Sequence, residues 1–247
     1  MNRFTFVCVA YKDCEQLSYN IPSLIRVFPN ERVVVITDGD DDSEYDRIAQ
    51  TYNFELVRGE RLYALRSGGR LSQRFLDVFL GQSGDYLVKF DTDTRFFRQF
   101  TQLPPGEASG CIWGAFGIRY LQGGCRIFSR SCAEQLDKAG LFRGDRYSDL
   151  STWCPLTAEE LYKTRDLISE DFIVRDALLE VGIPISDYSE IFSAGHVKRW
   201  RFMDVKTLSS IINQEHRYAV THPWKIQDIK WAQSIGPILT SIRSEDP

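Results

Sequence analysis

The chain's 247 residues are enough to bury a sizeable core as one α/β domain, and 43% hydrophobic with 26% charged residues argue against a disordered chain. A net charge of -4 argues against the broad basic footprint that nucleic acid or an anionic membrane requires. No stretch approaches the roughly 18 uncharged apolar residues needed to cross a bilayer.

The first element expected is a buried strand over the apolar run Phe4 to Ala10. Lys12, Asp13 and Glu15 follow too soon for this run to be a secretory signal, so the expected location is the cytoplasm. A helical stretch comes next, with Pro22 suited to a first helical turn. Arg32 to Thr37 is rich in β-branched residues and ends at Asp38-Gly39, which predicts a second strand. Asp40 to Gln50 reads as loop and helix, and Phe54 to Val57 as a third strand. Ser67 to Leu80 places Leu71, Phe75, Val78 and Phe79 at helical spacing. Tyr86 to Phe90 is a fourth strand running into Asp91. Strands alternating with helices predict a mostly parallel, doubly wound α/β sheet with helices on both faces. Ligands bind at the carboxyl ends of strands in such sheets, where Asp38 and Asp91 both fall.

The pattern then changes. Cys111 to Ile118 and Gly124 to Phe128 read as strands, and Ser129 to Ala139 as a helix stopped by Gly140. Leu141 to Leu156 reads as a polar and aromatic loop. Thr157-Ala158-Glu159-Glu160 has the form of a capping box. Ser169 begins a further helix that runs to Val181 and ends at Gly182. The six cysteines form no C-x-x-C pair, so reduced structural thiols are expected rather than a structural zinc site. The economical organisation is a single domain over residues 1-247 whose first hundred residues bind a nucleotide.

Chemistry concentrates in Lys89-Phe90-Asp91-Thr92-Asp93-Thr94. Two carboxylates one residue apart at the end of a buried strand can converge on a hard cation such as manganese or magnesium. They can equally mark a strand-ending turn, where Asp is common. A third reading makes the first Asp a phosphatase nucleophile of the haloacid-dehalogenase type, but Arg95 stands where that pattern needs Thr or Val. Glu170 and Asp171 open a helix, where the macrodipole stabilises them, and a carboxylate there can also serve as a base. Of the three histidines, His222 follows the strand-like run Tyr218-Ala219-Val220 and can complete a metal site; His196, beside Lys198 and Arg199, can face phosphate; His216 carries no assignment. Gly123-Gly124 reads either as a turn needing positive φ or as backbone that a sugar approaches closely. Arg70, after Gly68-Gly69, can pair with a phosphate or with Asp91 or Asp93.

Together these segments resemble the GT-A glycosyltransferases, and within them the fringe-like β-glycosyltransferases. Val34 to Asp41 is similar to that family's second-strand end, Tyr86 to Asp93 to its Asp-x-Asp strand, and Gly123 to Arg130 to its glycine segment. Glu170-Asp171-Phe172 resembles its acidic motif, and His222 its C-terminal ligand histidine. Ser169 stands where Pro often leads the acidic pair, and Arg126 where a further Gly is usual. The resemblance implies a GT-A fold and inverting transfer of a hexose or N-acetylhexosamine from a UDP-sugar to a glycan or other hydroxyl acceptor. It implies Mn2+ (or Mg2+) on Asp91, Asp93 and His222, Asp38 on the uridine, and Asp171 as base. It also divides the chain into a nucleotide-sugar half, about 1-100, and an acceptor and catalytic half, about 101-247. Trp113, Tyr147 and Trp153 are candidates to stack on sugar faces. The alternatives are a retaining transferase that does not use Asp171, and a nucleotide-sugar-binding protein without turnover.

Overall fold

A computed structural model describes residues 3–62, 68–115, 118–143, 169–193 and 217–224. The expected alternation is present in its first half: β1 (Phe4–Ala10), α1 (Cys14–Val27), β2 (Arg32–Asp38), α2 (Glu44–Tyr52), β3 (Glu55–Gly59), α3 (Gly68–Leu80) and β4 (Tyr86–Phe90). There follow β5 (Arg95–Phe96), β6 (Ala108–Ala115), β7 (Ile118–Ser129), α4 (Arg130–Ala139), α5 (Ser169–Glu180), β8 (Ile185–Asp187), β9 (Ile191–Ser193) and β10 (Val220–His222).

The main sheet has the order β3-β2-β1-β4-β7-β6-β8. Its first four strands are mutually parallel, β7 is antiparallel to both β4 and β6, and β8 is again parallel to β6. A second, three-stranded sheet, β5-β10-β9, packs beside it, with Phe96, Ile191 and Val220 in the same core. Strand alternation divides the core in two. Phe6, Cys8, Val33, Val35, Val88 and Phe90 point to one face, against Leu17, Ile21 and Leu24 of α1 and Ile48 of α2. Val7, Val34, Ile36 and Leu87 point to the other, against Leu71, Phe75 and Phe79 of α3, Leu136 of α4 and Ile173 of α5.

This topology creates the site's location. From β1 the chain steps outward to β2 and β3, with α1 and α2 on one face. The α3 helix then returns it across the opposite face to β4, on the far side of β1. Strand order therefore reverses between β1 and β4, and ligands bind beyond the carboxyl ends of strands at such a reversal. Residues 11–13 and 91–93 lie there.

Several expectations are corrected in detail. Pro22 lies inside α1, not in its first turn, because the helix starts eight residues earlier at Cys14. β7 spans twelve residues and takes in Gly123, so neither Gly123 nor Gly124 sits in a turn. The helix stops hold: Gly140 and Gly182 have φ of 66° and 74°, the left-handed region that glycine enters freely. Ser129 caps α4 by accepting the Cys132 N–H at 3.1 Å. The five described cysteines are free thiols. Cys154, Tyr147, Trp153, His196, His216 and the Thr157–Glu160 segment lie outside the described residues.

Candidate metal centre

Asp91 leaves β4 as the ladder to β7 ends. Its N–H donates to the Gly124 carbonyl at 3.0 Å, and the Thr94 N–H donates back to the Asp91 carbonyl at 3.0 Å. The Thr94 hydroxyl donates to the same Gly124 carbonyl at 2.7 Å. The segment is thus a tight turn, and the turn aims both carboxylates one way. The strand-ending turn is therefore present, and it leaves the two carboxylates on one side.

His222 arrives on β10, paired with β5 and β9. Its Nε2 lies 3.0 Å from Asp93 Oδ1 and 3.4 Å from Asp91 Oδ2. The three side chains each offer an atom within 4.8 Å of the others, and among the described residues they form the single cluster of this kind. A brace holds the distant segment in place. The Trp224 N–H donates to the Asp93 carbonyl at 2.5 Å, and the buried Asn20 amide donates to the Thr92 carbonyl at 3.0 Å and the Trp224 carbonyl at 3.2 Å.

Electrostatics tie the cluster together. Burial works against the charged form of Asp91, but Lys89 and His222 outweigh it and hold the carboxyl well below the usual range. Burial likewise works against the His222 imidazolium, yet Asp93 and Asp91 prevail and push it up to about 9. Lys89 lies two residues before Asp91 on the same strand face, only 4% exposed. Its ammonium donates to Asp91 Oδ1 and to the Gly123 carbonyl, both at 2.6 Å. Beyond Gly123 lies a second charged group: Arg126, 1% exposed on β7, donates to Asp171 Oδ1 at 3.1 Å and to Glu170 Oε1. Burial raises the Asp171 carboxyl to about 7, with Glu170 adding to the rise and Arg126 opposing it.

The glycines owe their identity to these neighbours. A Cβ on Gly124 would land on the His222 imidazole, and one on Gly123 would collide with Asp171 Oδ1. Neither has positive φ, so the need is for space, and what approaches is protein. Gly68 is bare for a similar reason, since a Cβ there would come within 3.1 Å of Glu170 Cα, where α3 abuts α5. Gly124→Ala is expected to displace His222 and weaken Mn2+ binding by about 10–100-fold, the range seen when residues supporting metal ligands are changed. A manganese titration, with circular dichroism as the fold control, reads this out.

Two predicted residues sit elsewhere. Asp38 is 3% exposed, its Oδ2 2.6 Å from Arg61 Nη1 and its Oδ1 accepting the Leu62 N–H at 2.7 Å. Both oxygens are thus engaged by the chain's own 61–62 segment, and the Arg61 guanidinium stacks 3.2 Å above the Tyr11 ring. Arg70 faces outward and pairs with Glu60 at 2.7 Å, away from Asp91 and Asp93. Asp13 had no assignment, yet it accepts the Thr92 hydroxyl at 2.5 Å and the Tyr45 hydroxyl at 3.1 Å. Its position just after β1, a strand end beside β4, was the available signal.

No protein-family model and no curated protein matches the chain. Among solved structures, a mannosyltransferase from Pyrobaculum calidifontis in complex with GDP-Man and Mn2+ is 16% identical, with a TM-score of 0.41 over 56% of this chain and 46% of that one. The present chain therefore spans less than half of that protein's length. A galactosyltransferase in complex with donor and acceptor sugar analogues is 13% identical, with a TM-score of 0.48 over 96% and 95% of the two chains. A cytidylyltransferase from Leptospira borgpetersenii is 16% identical, with a TM-score of 0.45 over 76% of each. Similarity at this level identifies neither an activity nor a ligand. No helix among the described residues is long and apolar enough to cross a membrane.

Proposed function

We propose that the chain is a metal-dependent glycosyltransferase that moves a hexose or N-acetylhexosamine from a UDP-sugar to an acceptor hydroxyl with inversion. The observation that carries this reading is the convergence of Asp91, Asp93 and His222 at the β1/β4 strand reversal. Two carboxylates and an imidazole suit Mn2+ or Mg2+ and leave coordination positions for phosphate oxygens. The bound ion would offset the charge that develops on a departing diphosphate.

The remaining steps fall to the chain's own residues. Asp93 and His222 would be the principal ligands, with Asp91 offering the oxygen that Lys89 leaves open. Gly123 and Gly124 give His222 and Asp171 room to close on β7. Asp171 accepts the acceptor hydroxyl's proton, with Arg126 orienting it through Oδ1. Asp38 acts at one remove, holding Arg61 against Tyr11 at the nucleotide end. Arg70, whose exposed guanidinium pairs with Glu60, would exchange that surface partner for a donor phosphate. Residues 1–100 then hold the nucleotide sugar, and the later half supplies the base and the acceptor contacts.

A thermal-shift panel of nucleoside diphosphates and nucleotide sugars, with and without Mn2+, tests the reading. Ligand at about 100 times its Kd stabilises a folded protein by about 2.7 kcal/mol, a readily visible shift. UDP and UDP-hexoses are expected to stabilise the protein only when Mn2+ is present. A panel flat across all nucleotides in Mn2+ would overturn the proposal, and a response confined to another base would reassign the donor.

A further inference from the structure

Lys89 is a cation placed where a metal site would ordinarily want none. It is 4% exposed, and its ammonium lies 2.6 Å from Asp91 Oδ1, on the carboxylate whose other oxygen faces His222. Its second hydrogen bond, to the Gly123 carbonyl at 2.6 Å, holds the ammonium against Asp91. Its ammonium also lies 5.7 Å from the Phe75 ring centroid. Building on the metal-site reading above, we propose that Lys89 is a positioning residue that competes with the divalent ion for Asp91 and makes tight ion binding conditional on a nucleoside diphosphate.

Charge and geometry lead to this. An imidazole ligates an ion only after giving up its proton, and with His222 in that form the two carboxylates and Lys89 sum to one negative charge. A divalent ion then leaves the site with an excess positive charge in partly desolvated surroundings, where like-charge repulsion is poorly screened. A diphosphate cancels that excess. Without Lys89, the two carboxylates would balance the ion unaided, and Asp91 would have both oxygens free for it. Lys89 also restricts Asp91 to its Oδ2, so coordination positions stay open for phosphate oxygens. Ion and diphosphate therefore raise each other's affinity, and such coupling is reciprocal.

The test measures Mn2+ binding alone, by electron paramagnetic resonance of free Mn2+, and again with saturating UDP. Wild type is expected to bind Mn2+ weakly alone and more tightly with UDP. Lys89→Met is expected to bind Mn2+ alone at least about fivefold more tightly, with the UDP-dependent gain reduced by a similar factor, the lower end of ordinary coupling. Loss of packing alone would weaken the site, so tightening is a signature that structural damage does not produce. Unchanged or weaker Mn2+ binding in folded Lys89→Met overturns the proposal. Lys89→Gln, which keeps hydrogen-bonding groups and removes the charge, carries the same expectation where the Met variant does not fold. Wild type that binds Mn2+ with a dependence on Asp93, but shows no UDP enhancement, overturns the coupling and the nucleotide reading while leaving the metal site standing. Wild type that binds no Mn2+ under either condition overturns both.

Discussion

Asp93→Ala is expected to abolish manganese-dependent UDP binding while leaving the fold intact. The two halves of that expectation have separate causes. The side chain faces His222 Nε2 at 3.0 Å and is one of three candidate ligands, so its removal takes a charge and a donor from the ion directly. The loss should exceed the roughly 10–100-fold that follows from disturbing residues that merely support ligands. The backbone of the same residue does the structural work. Its carbonyl accepts the Trp224 N–H, and Asn20 ties residues 92 and 224 from the other side. Those bonds do not involve the carboxylate. Calorimetric titration of UDP with and without Mn2+, beside circular dichroism, separates the two effects. Unchanged Mn2+-dependent binding would remove Asp93 from the site.

The parts of this arrangement that were legible in the sequence are those encoded over short distances. Apolar runs ending in Asp38 and Asp91 located two strand ends, and their alternation with helices implied the parallel half of the sheet. The Asp91–Asp93 spacing and the acids at the start of α5 were visible for the same reason. β5, β8 and β9, of two or three residues each, are too short for a period to register. Long-range pairing was not legible. Arg126 looked like a departure from a glycine position, and only the approach of α5 turns it into the counter-charge of Glu170 and Asp171. Lys89 passed for an ordinary strand residue because its partner carbonyl, Gly123, lies 34 positions away. Asp38 marks a strand end, where ligands bind, and the family resemblance puts it on the uridine. That reading could not anticipate that Arg61 and Leu62 would occupy both of its oxygens. The glycine pair stands out as a doublet, but that its bare Cα atoms leave room for His222 and Asp171 depends on segments far along the chain.

Asp171 sets function against stability, and Asp171→Asn is the variant that exposes this. Burial raises its carboxyl to about 7, with Glu170 adding and Arg126 opposing. A carboxyl whose pKa is raised on folding favours the folded state while protonated. That contribution is complete below the ordinary carboxylate range and is lost as pH rises through about 7. Above pH 7 the protein therefore holds a buried charge at a cost. The amide keeps an oxygen for Arg126, and Arg126 keeps Glu170, but that cost disappears. Asp171→Asn is thus expected to melt at pH 8 no lower than wild type, with the difference between them smaller at pH 5, where less of the wild-type contribution has been lost. In catalysis the same change should be severe. A neutral amide cannot take up the acceptor's proton, so transfer should fall by about 10²–10⁴-fold while UDP-sugar binding persists. Wild-type turnover should decline as pH drops below about 7, where Asp171 becomes protonated and can no longer act as a base. Melting curves at the two pH values and single-turnover transfer rates read both effects from one variant. Full transfer activity in Asp171→Asn would exclude Asp171 as the base, and a product of retained anomeric configuration would then favour a mechanism in which Arg126, Glu170 and Asp171 only hold α5 against β7.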